Sequence, residues 1–148
     1  MRRSSSSFLF PDINVWLALS YERHFHHPVA RKWFERLDDD AHLCFCRFTQ
    51  IGLLRLMTTE ALMGVDVLSQ AEAWRIYDGW LGDDRILLLD EPPLMEASFR
   101  AFSQQKRPSP KDWADAYLAA FAAIAGLRLA TFDQAFRARC PDLVLLSI

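Results

Sequence analysis

The 148-residue chain has no hydrophobic run approaching the about 20 residues needed to cross a bilayer. Its basic start, Met1-Arg2-Arg3 and four serines, is followed only by Phe8-Leu9-Phe10 before Pro11, too short for a signal-peptide core. These absences lead us to expect a cytoplasmic protein with no membrane segment and a disordered tail over residues 1–7. Glycine is scarce, five in all, and no Gly-rich phosphate loop can be read. Three cysteines, Cys44, Cys46 and Cys140, do not make a disulfide framework. Alternation along a strand would put Cys44 and Cys46 on one face, as buried reduced thiols. His24, His26 and His27 cluster, but no Cys or carboxylate set completes a zinc pattern, and a loop and helix-start role is expected. No nucleophile–His–acid triad can be read either. A basic excess is also missing: the formal charge of −2 disfavours broad nonspecific nucleic-acid binding. It leaves room for a local basic rim, and 14 of the 17 basic residues are Arg, which suits bidentate phosphate contacts.

What is present is enough for one core. Apolar residues are 51% and charged residues 24%, a composition that suits one compact α/β domain. Strand-like and helix-like runs alternate. Phe8–Phe10 reads as a strand and Ile13–Ser20 as a short helix. Val29, Trp33, Phe34 and Leu37 have helical spacing behind Pro28. Leu43–Cys46 is a second strand, followed by a helical stripe of Phe48, Ile51, Leu53 or Leu54, and Met57. Gly64 marks a break, and Ser69 is placed to cap a helix with Ala73, Trp74, Tyr77, Trp80 and Leu81 inward. Ile86–Leu89 is continuously apolar, as expected of a strand covered on both faces. Pro92-Pro93 opens a helix with Met95, Phe99 and Phe102. Ser109-Pro110-Lys111-Asp112 has the form of a capping box ahead of the alanine-rich helix from Trp113 to Ala125, and Gly126 suits its end. Leu127–Phe132, a short helix from Asp133 and Leu143–Leu146 complete the chain. Strands separated by helices predict a parallel sheet with helices on both faces.

Two acids directly follow apolar strands, Asp12 and Asp133, and in a parallel sheet both lie at the same carboxyl edge. Asp115 sits in the first turns of the preceding helix, where packing does not require it. Carboxylates held together repel unless a cation intervenes, and Mg2+ or Mn2+ prefers such oxygens. Each acid also has a plain structural role. Asp12 and Asp133 are placed to cap the helices that follow, and Asp115 to answer a helix N-terminus. Asp112 reads as the capping-box acid, Asp90-Glu91 as helix-start acids, and Asp38–Asp40 as a solvated turn. Lys106, Arg107 and Lys111 flank the helix bearing Asp115. They read either as a solvated loop or as a rim for phosphates.

Four ordered blocks, Asp12-Ile13-Asn14-Val15-Trp16-Leu17-Ala18-Leu19, Thr49 to Arg55, Trp113 to Ala120 and Thr131-Phe132-Asp133, resemble those of PIN-domain ribonucleases, and most of all the VapC toxins of type II toxin–antitoxin systems. The resemblance covers the chain from Phe8. It implies a PIN-like single domain over 8–148, with a central parallel sheet of four to five strands flanked by helices. It further implies a Mg2+- or Mn2+-dependent endoribonuclease acting on RNA such as tRNA, homodimerisation, and inhibition by a VapB-type antitoxin. On the matching positions, Asp12, Asp115 and Asp133 correspond to metal-binding acids, and Asn14 and Thr131 to polar residues near the site. Gln50 stands where the family commonly has Glu. The VapC group most similar to this chain tolerates Gln there, but the site then has three carboxylates instead of four. A contrasting expectation is a catalytically weakened module that binds RNA or antitoxin; a metal-dependent phosphatase is a third. Arg55 reads equally as an interface residue or a salt-bridge partner, and Trp74, Tyr77 and Trp80 read mainly as core, with part of that face open to a dimer or antitoxin groove.

Overall fold

Five short strands set the frame: β1 (Phe8–Pro11), β2 (His42–Cys46), β3 (Ile86–Leu89), β4 (Arg128–Thr131) and β5 (Val144–Leu145). The computed structural model describes residues 8–147, so the tail expected over 1–7 lies outside the described residues. The strands form one parallel sheet in the order β3-β2-β1-β4-β5. The chain builds outward from β1 to β3, then returns to the other side of β1 with β4. The sheet therefore has a topological switch point between β1 and β4, and ligands of open α/β sheets bind at the carboxyl ends of such a pair. Seven helices join the strands among the described residues: α1 (Ile13–Ser20), α2 (His27–Glu35), α3 (Arg47–Met57), α4 (Glu60–Met63), α5 (Gln70–Leu81), α6 (Met95–Phe102) and α7 (Asp112–Ala125). No described helix is long and apolar enough to cross a membrane.

Strand alternation divides the core in two. Leu43, Phe45 and Ala130 point to one face and pack with Val15, Trp16, Leu53 and Tyr77. Trp16 is fully buried and stacks on Phe45 at 3.9 Å between ring centroids. Phe10, Cys44, Cys46 and Leu129 point to the other face and meet Met95, Leu118 and Phe121. Both β2 thiols are thus buried on one face and free, as alternation predicts. Ser69 caps α5 in a reciprocal box with Glu72. Gly126 ends α7 in the left-handed region at φ 71°, which a residue without Cβ adopts at no steric cost.

Several expectations are corrected. β3 is an edge strand with β2 as its sole neighbour, so Leu88 remains 37% exposed and the run is not covered on both faces. The inward side of α3 consists of Thr49, Gln50, Gly52, Leu53 and Met57, while Phe48 and Ile51 face outward. Trp74 on α5 is likewise exposed. Pro92-Pro93 precede α6 without entering it, because Leu94 takes a left-handed conformation at φ 66° and the helix starts at Met95. Ser109-Pro110-Lys111-Asp112 makes no capping box. The Ser109 carbonyl accepts from the Asp112 N–H at 2.9 Å in a turn, and no side chain caps α7.

The rotation of α3 has a reason at Gly52. A Cβ there would lie 2.3 Å from Ile13 Cδ1 and 2.8 Å from Ile13 Cγ1, so the missing side chain lets α3 sit on the first turn of α1. Gly52→Ala should therefore displace Ile13, the neighbour of Asp12. Overpacking of about 1–3 kcal/mol outweighs a helix-propensity gain of about 1 kcal/mol. A net loss is expected in urea denaturation; a variant as stable as wild type contradicts this packing.

Candidate active site at the sheet switch point

Asp12 follows β1 directly and is 7% exposed. Its N–H donates to the Ala130 carbonyl at 2.9 Å, so sheet pairing itself fixes the residue. One carboxylate oxygen, Oδ1, accepts from the Val15 N–H at 3.0 Å and caps α1. The other, Oδ2, accepts from the buried Thr131 hydroxyl. Burial pushes the Asp12 carboxyl up to about 6; the bonds from Thr131 and Val15 offset part of this, and Asp115 adds to it. The capping role expected of Asp12 is real, yet it leaves lone pairs on both oxygens.

Thr131 links the two strand ends. Its hydroxyl donates to Asp12 and accepts from the Asp133 N–H at 3.0 Å. Asp133 is exposed at the rim, where its Oδ1 accepts from the Ala135 N–H at 2.9 Å and caps a short 3-10 turn, Gln134–Ala138. Asp115 approaches from the first turn of α7, half-buried. Its carboxyl is raised by burial, then by the charges of Asp133 and Asp112, and Arg139 partly compensates. Asp12 and Asp133 thus occupy one carboxyl edge, and Asp115 lies within electrostatic reach of both.

Asp112 differs from expectation: it pairs with Arg139 and accepts from Gln105 Nε2 at 3.1 Å. Arg139, at the end of the 3-10 turn, is a cation of the site that spacing does not reveal, 27 residues from its partner. Gln50 is 4% exposed at the start of α3, and its Oε1 accepts from Arg47 Nη1 at 2.7 Å. Arg47 was legible as an i, i+3 neighbour of Gln50. Asn14 is exposed on the first turn of α1. Lys106, Arg107 and Lys111 are exposed in the α6–α7 connection, and Arg107 lines a cleft with Gln105, Asp112 and Trp113. His27 Nδ1 meets the Ala18 carbonyl at 2.7 Å, which matches a helix-start role.

Among the described residues, no three His, Cys, Asp or Glu side chains converge as a finished metal shell. The donor chemistry nevertheless fits a hard cation. Asp12 and Asp115 are held partly or wholly out of water with raised pKa values, and each is worsened by a neighbouring carboxylate. A divalent cation between them would relieve both effects with oxygen donors of the preferred kind.

Residues 9–140 match the family model described as PIN domain. Ribonuclease VapC41 of Mycobacterium tuberculosis is 45% identical over 132 residues, covering 86% of this chain and 90% of that protein. Ribonuclease VapC38 of the same species is 30% identical over 129 residues, covering 82% of each. Among solved structures, the Mycobacterium tuberculosis toxin VapC20, described as cleaving the sarcin-ricin loop, superposes with a TM-score of 0.65 at 16% identity. That match covers 88% of this chain and 93% of VapC20, and its low identity speaks for the fold alone.

The buried carboxyl of Asp12 gives a pH signature. Its folded pKa of about 6 lies above its unfolded value of 3.8, so the folded protein holds the proton more tightly. This contribution is complete below 3.8 and is lost as pH rises through about 6, by up to roughly 3 kcal/mol. In chelator near pH 7, Asp12→Asn should be more stable than wild type by about 1–3 kcal/mol, with a flatter profile between these values. Denaturation curves across pH check this; equal stability and equal slope contradict it.

Proposed function

The chain belongs to the PIN-domain family, in its VapC branch, and from that premise we propose that it is a metal-dependent endoribonuclease, the toxin of a toxin–antitoxin pair. The observation that supports the reading best is the Thr131 hydroxyl joining Asp12 to Asp133 at the β1/β4 switch point, with Asp115 facing them. Asp12, Asp115 and Asp133 would hold Mg2+ or Mn2+. When bound, such an ion lowers the pKa of water and neutralises charge on a phosphodiester.

The chain's own residues perform the rest. Thr131 and the Val15 N–H hold both oxygens of Asp12 in one orientation, so little reorganisation remains when substrate arrives. Asp133, exposed at the rim, would meet the ion from the solvent side. Arg139 limits the repulsion that Asp112 and Asp133 impose on Asp115. Asn14, Lys106, Arg107 and Lys111, all exposed, would contact the substrate. The α7 N-terminus favours phosphate in the same place. By the same reading the protein is cytoplasmic, forms a homodimer and is inhibited by a VapB-type antitoxin.

A second reading has its own observation. Gln50 lacks the charge of a carboxylate, and its oxygen is already taken by Arg47. A site with one acid fewer suits a module that binds RNA or antitoxin while cleaving weakly. Calorimetric titration with Mn2+ separates the two: binding in the millimolar range or tighter supports the enzyme, and none supports the module.

Asp12→Asn should cut metal-dependent cleavage of a structured RNA by at least about 100-fold while the circular dichroism spectrum stays native. Unchanged cleavage would sink the assignment. Lys106→Glu with Arg107→Glu should weaken RNA binding several-fold and lower its salt dependence by about 2 in slope. RNA affinity equal to wild type at low salt would remove the basic rim from the model of binding.

A further inference from the structure

Phe25 is 80% exposed in the turn between α1 and α2, where its ring contributes almost nothing to the core. It is not isolated. Its ring meets His26 edge-on, with centroids 5.0 Å apart. His26 in turn lies nearly flat on Phe132, at 4.4 Å and 23° between planes. His24 closes the group at 5.7 Å from His26. An aromatic run thus leads from solvent to Phe132, the residue between Thr131 and Asp133.

A cleft lined by His26, Phe132, Gln134 and Leu145 opens at this point, and Phe132 and Gln134 are the two chain neighbours of Asp133. His26 Nδ1 is buried beside it with no hydrogen-bond partner among the described residues. Arg23 pairs with Asp66 at 3.6 Å and Arg31 with Glu35 at 2.7 Å, which leaves exposed Lys32 as the segment's cation without an acidic partner among the described residues, beside three histidines, the kind of cationic neighbour a stacked nucleotide uses. Anchoring of the turn to the sheet accounts for His26 on Phe132. It does not account for Phe25, whose ring faces water.

We propose that Phe25 and His26 form a stacking platform for an unpaired base of the RNA substrate, setting the adjoining phosphodiester at Asp133. This rests on the ribonuclease reading and adds the contact that orients the strand. Proteins take hold of single-stranded RNA by stacking splayed bases on aromatic and histidine rings beside cationic side chains. The platform lies on the β4 side of the acids, whereas Lys106, Arg107 and Lys111 approach from the α7 side. An RNA strand crossing the acids would therefore be held on both flanks. Phe25 and His26 are positioning residues here, since they touch a base and not the reacting atoms.

The test uses the full chain and short single-stranded oligoribonucleotides in which 2-aminopurine is moved through each position. Titration in chelator measures binding without cleavage, and stacking on an aromatic ring quenches the fluorophore. Wild type should quench strongly at one or two positions. Phe25→Ala should raise Kd about ten-fold and abolish that quenching, and Phe25→Trp should restore both. His26→Ala should weaken both readouts in the same direction. In cleavage assays, Phe25→Ala should raise KM far more than it lowers kcat. The platform is overturned if wild type quenches at no position, or if Phe25→Ala binds and quenches as wild type does. The latter result would point to a protein segment as the occupant of this surface. Wild-type binding and quenching without any metal-dependent cleavage would end the ribonuclease reading and leave the platform standing.

Discussion

The hydrogen bond from the Thr131 hydroxyl to the Asp12 carboxylate is the contact on which the site depends. It spans the one pair of strands, β1 and β4, between which the chain reverses its direction of growth. A hydroxyl has one proton to give. Thr131 spends it on Asp12, and its lone pair receives the Asp133 N–H. One side chain therefore fixes a buried acid and the backbone of an exposed one, and the strand pairing beneath them fixes the side chain. Loss of register between β1 and β4 would flip Thr131 to the opposite face, so the core that sets register also sets the chemistry.

The two apolar layers explain why the acids can be held against their mutual repulsion. Asp12 lies two residues after Phe10 and four before Trp16, which are fully buried in the two opposite layers of the core. Packing on this scale is worth many times the cost of one buried carboxylate. The fold thereby keeps a group in an environment that disfavours its charge. Such an acid gains more from a bound cation than an exposed one does, because the cation replaces solvation the protein has removed. Destabilisation and function are here the same fact seen from two sides.

Much of this was legible in the sequence. Strand-ending acids were readable because a buried apolar run must stop where polar groups meet solvent, and Asp12 and Asp133 stand at such stops. α1 was placed to the residue by the apolar run behind Asp12, and the start of α5 by Ser69, whose reciprocal partner Glu72 emerged only in the structure. The parallel sheet followed from alternation of element types. What failed was information that only tertiary packing holds. The facing of α3 depends on Gly52 meeting Ile13, a contact no periodicity encodes. The exposure of Leu88 depends on β3 being at an edge, which sequence order does not state. Asp112 looked like a local cap because its partner, Arg139, is remote in sequence and near in space.

Gln50 is best understood through its partner. A glutamate at position 50 would neutralise Arg47 within the same helical turn, leaving no net charge from the pair. With Gln50, Arg47 keeps its charge while still being held by the amide oxygen. The pair therefore carries one more positive unit than it would with a glutamate at position 50, on a guanidinium held at the start of α3. Arginine stays protonated in any accessible pH range and binds phosphate in a defined plane. The Gln50–Arg47 pair thus keeps the side-chain hydrogen bond that a glutamate would make with Arg47 while leaving uncancelled the charge that such a carboxylate would neutralise.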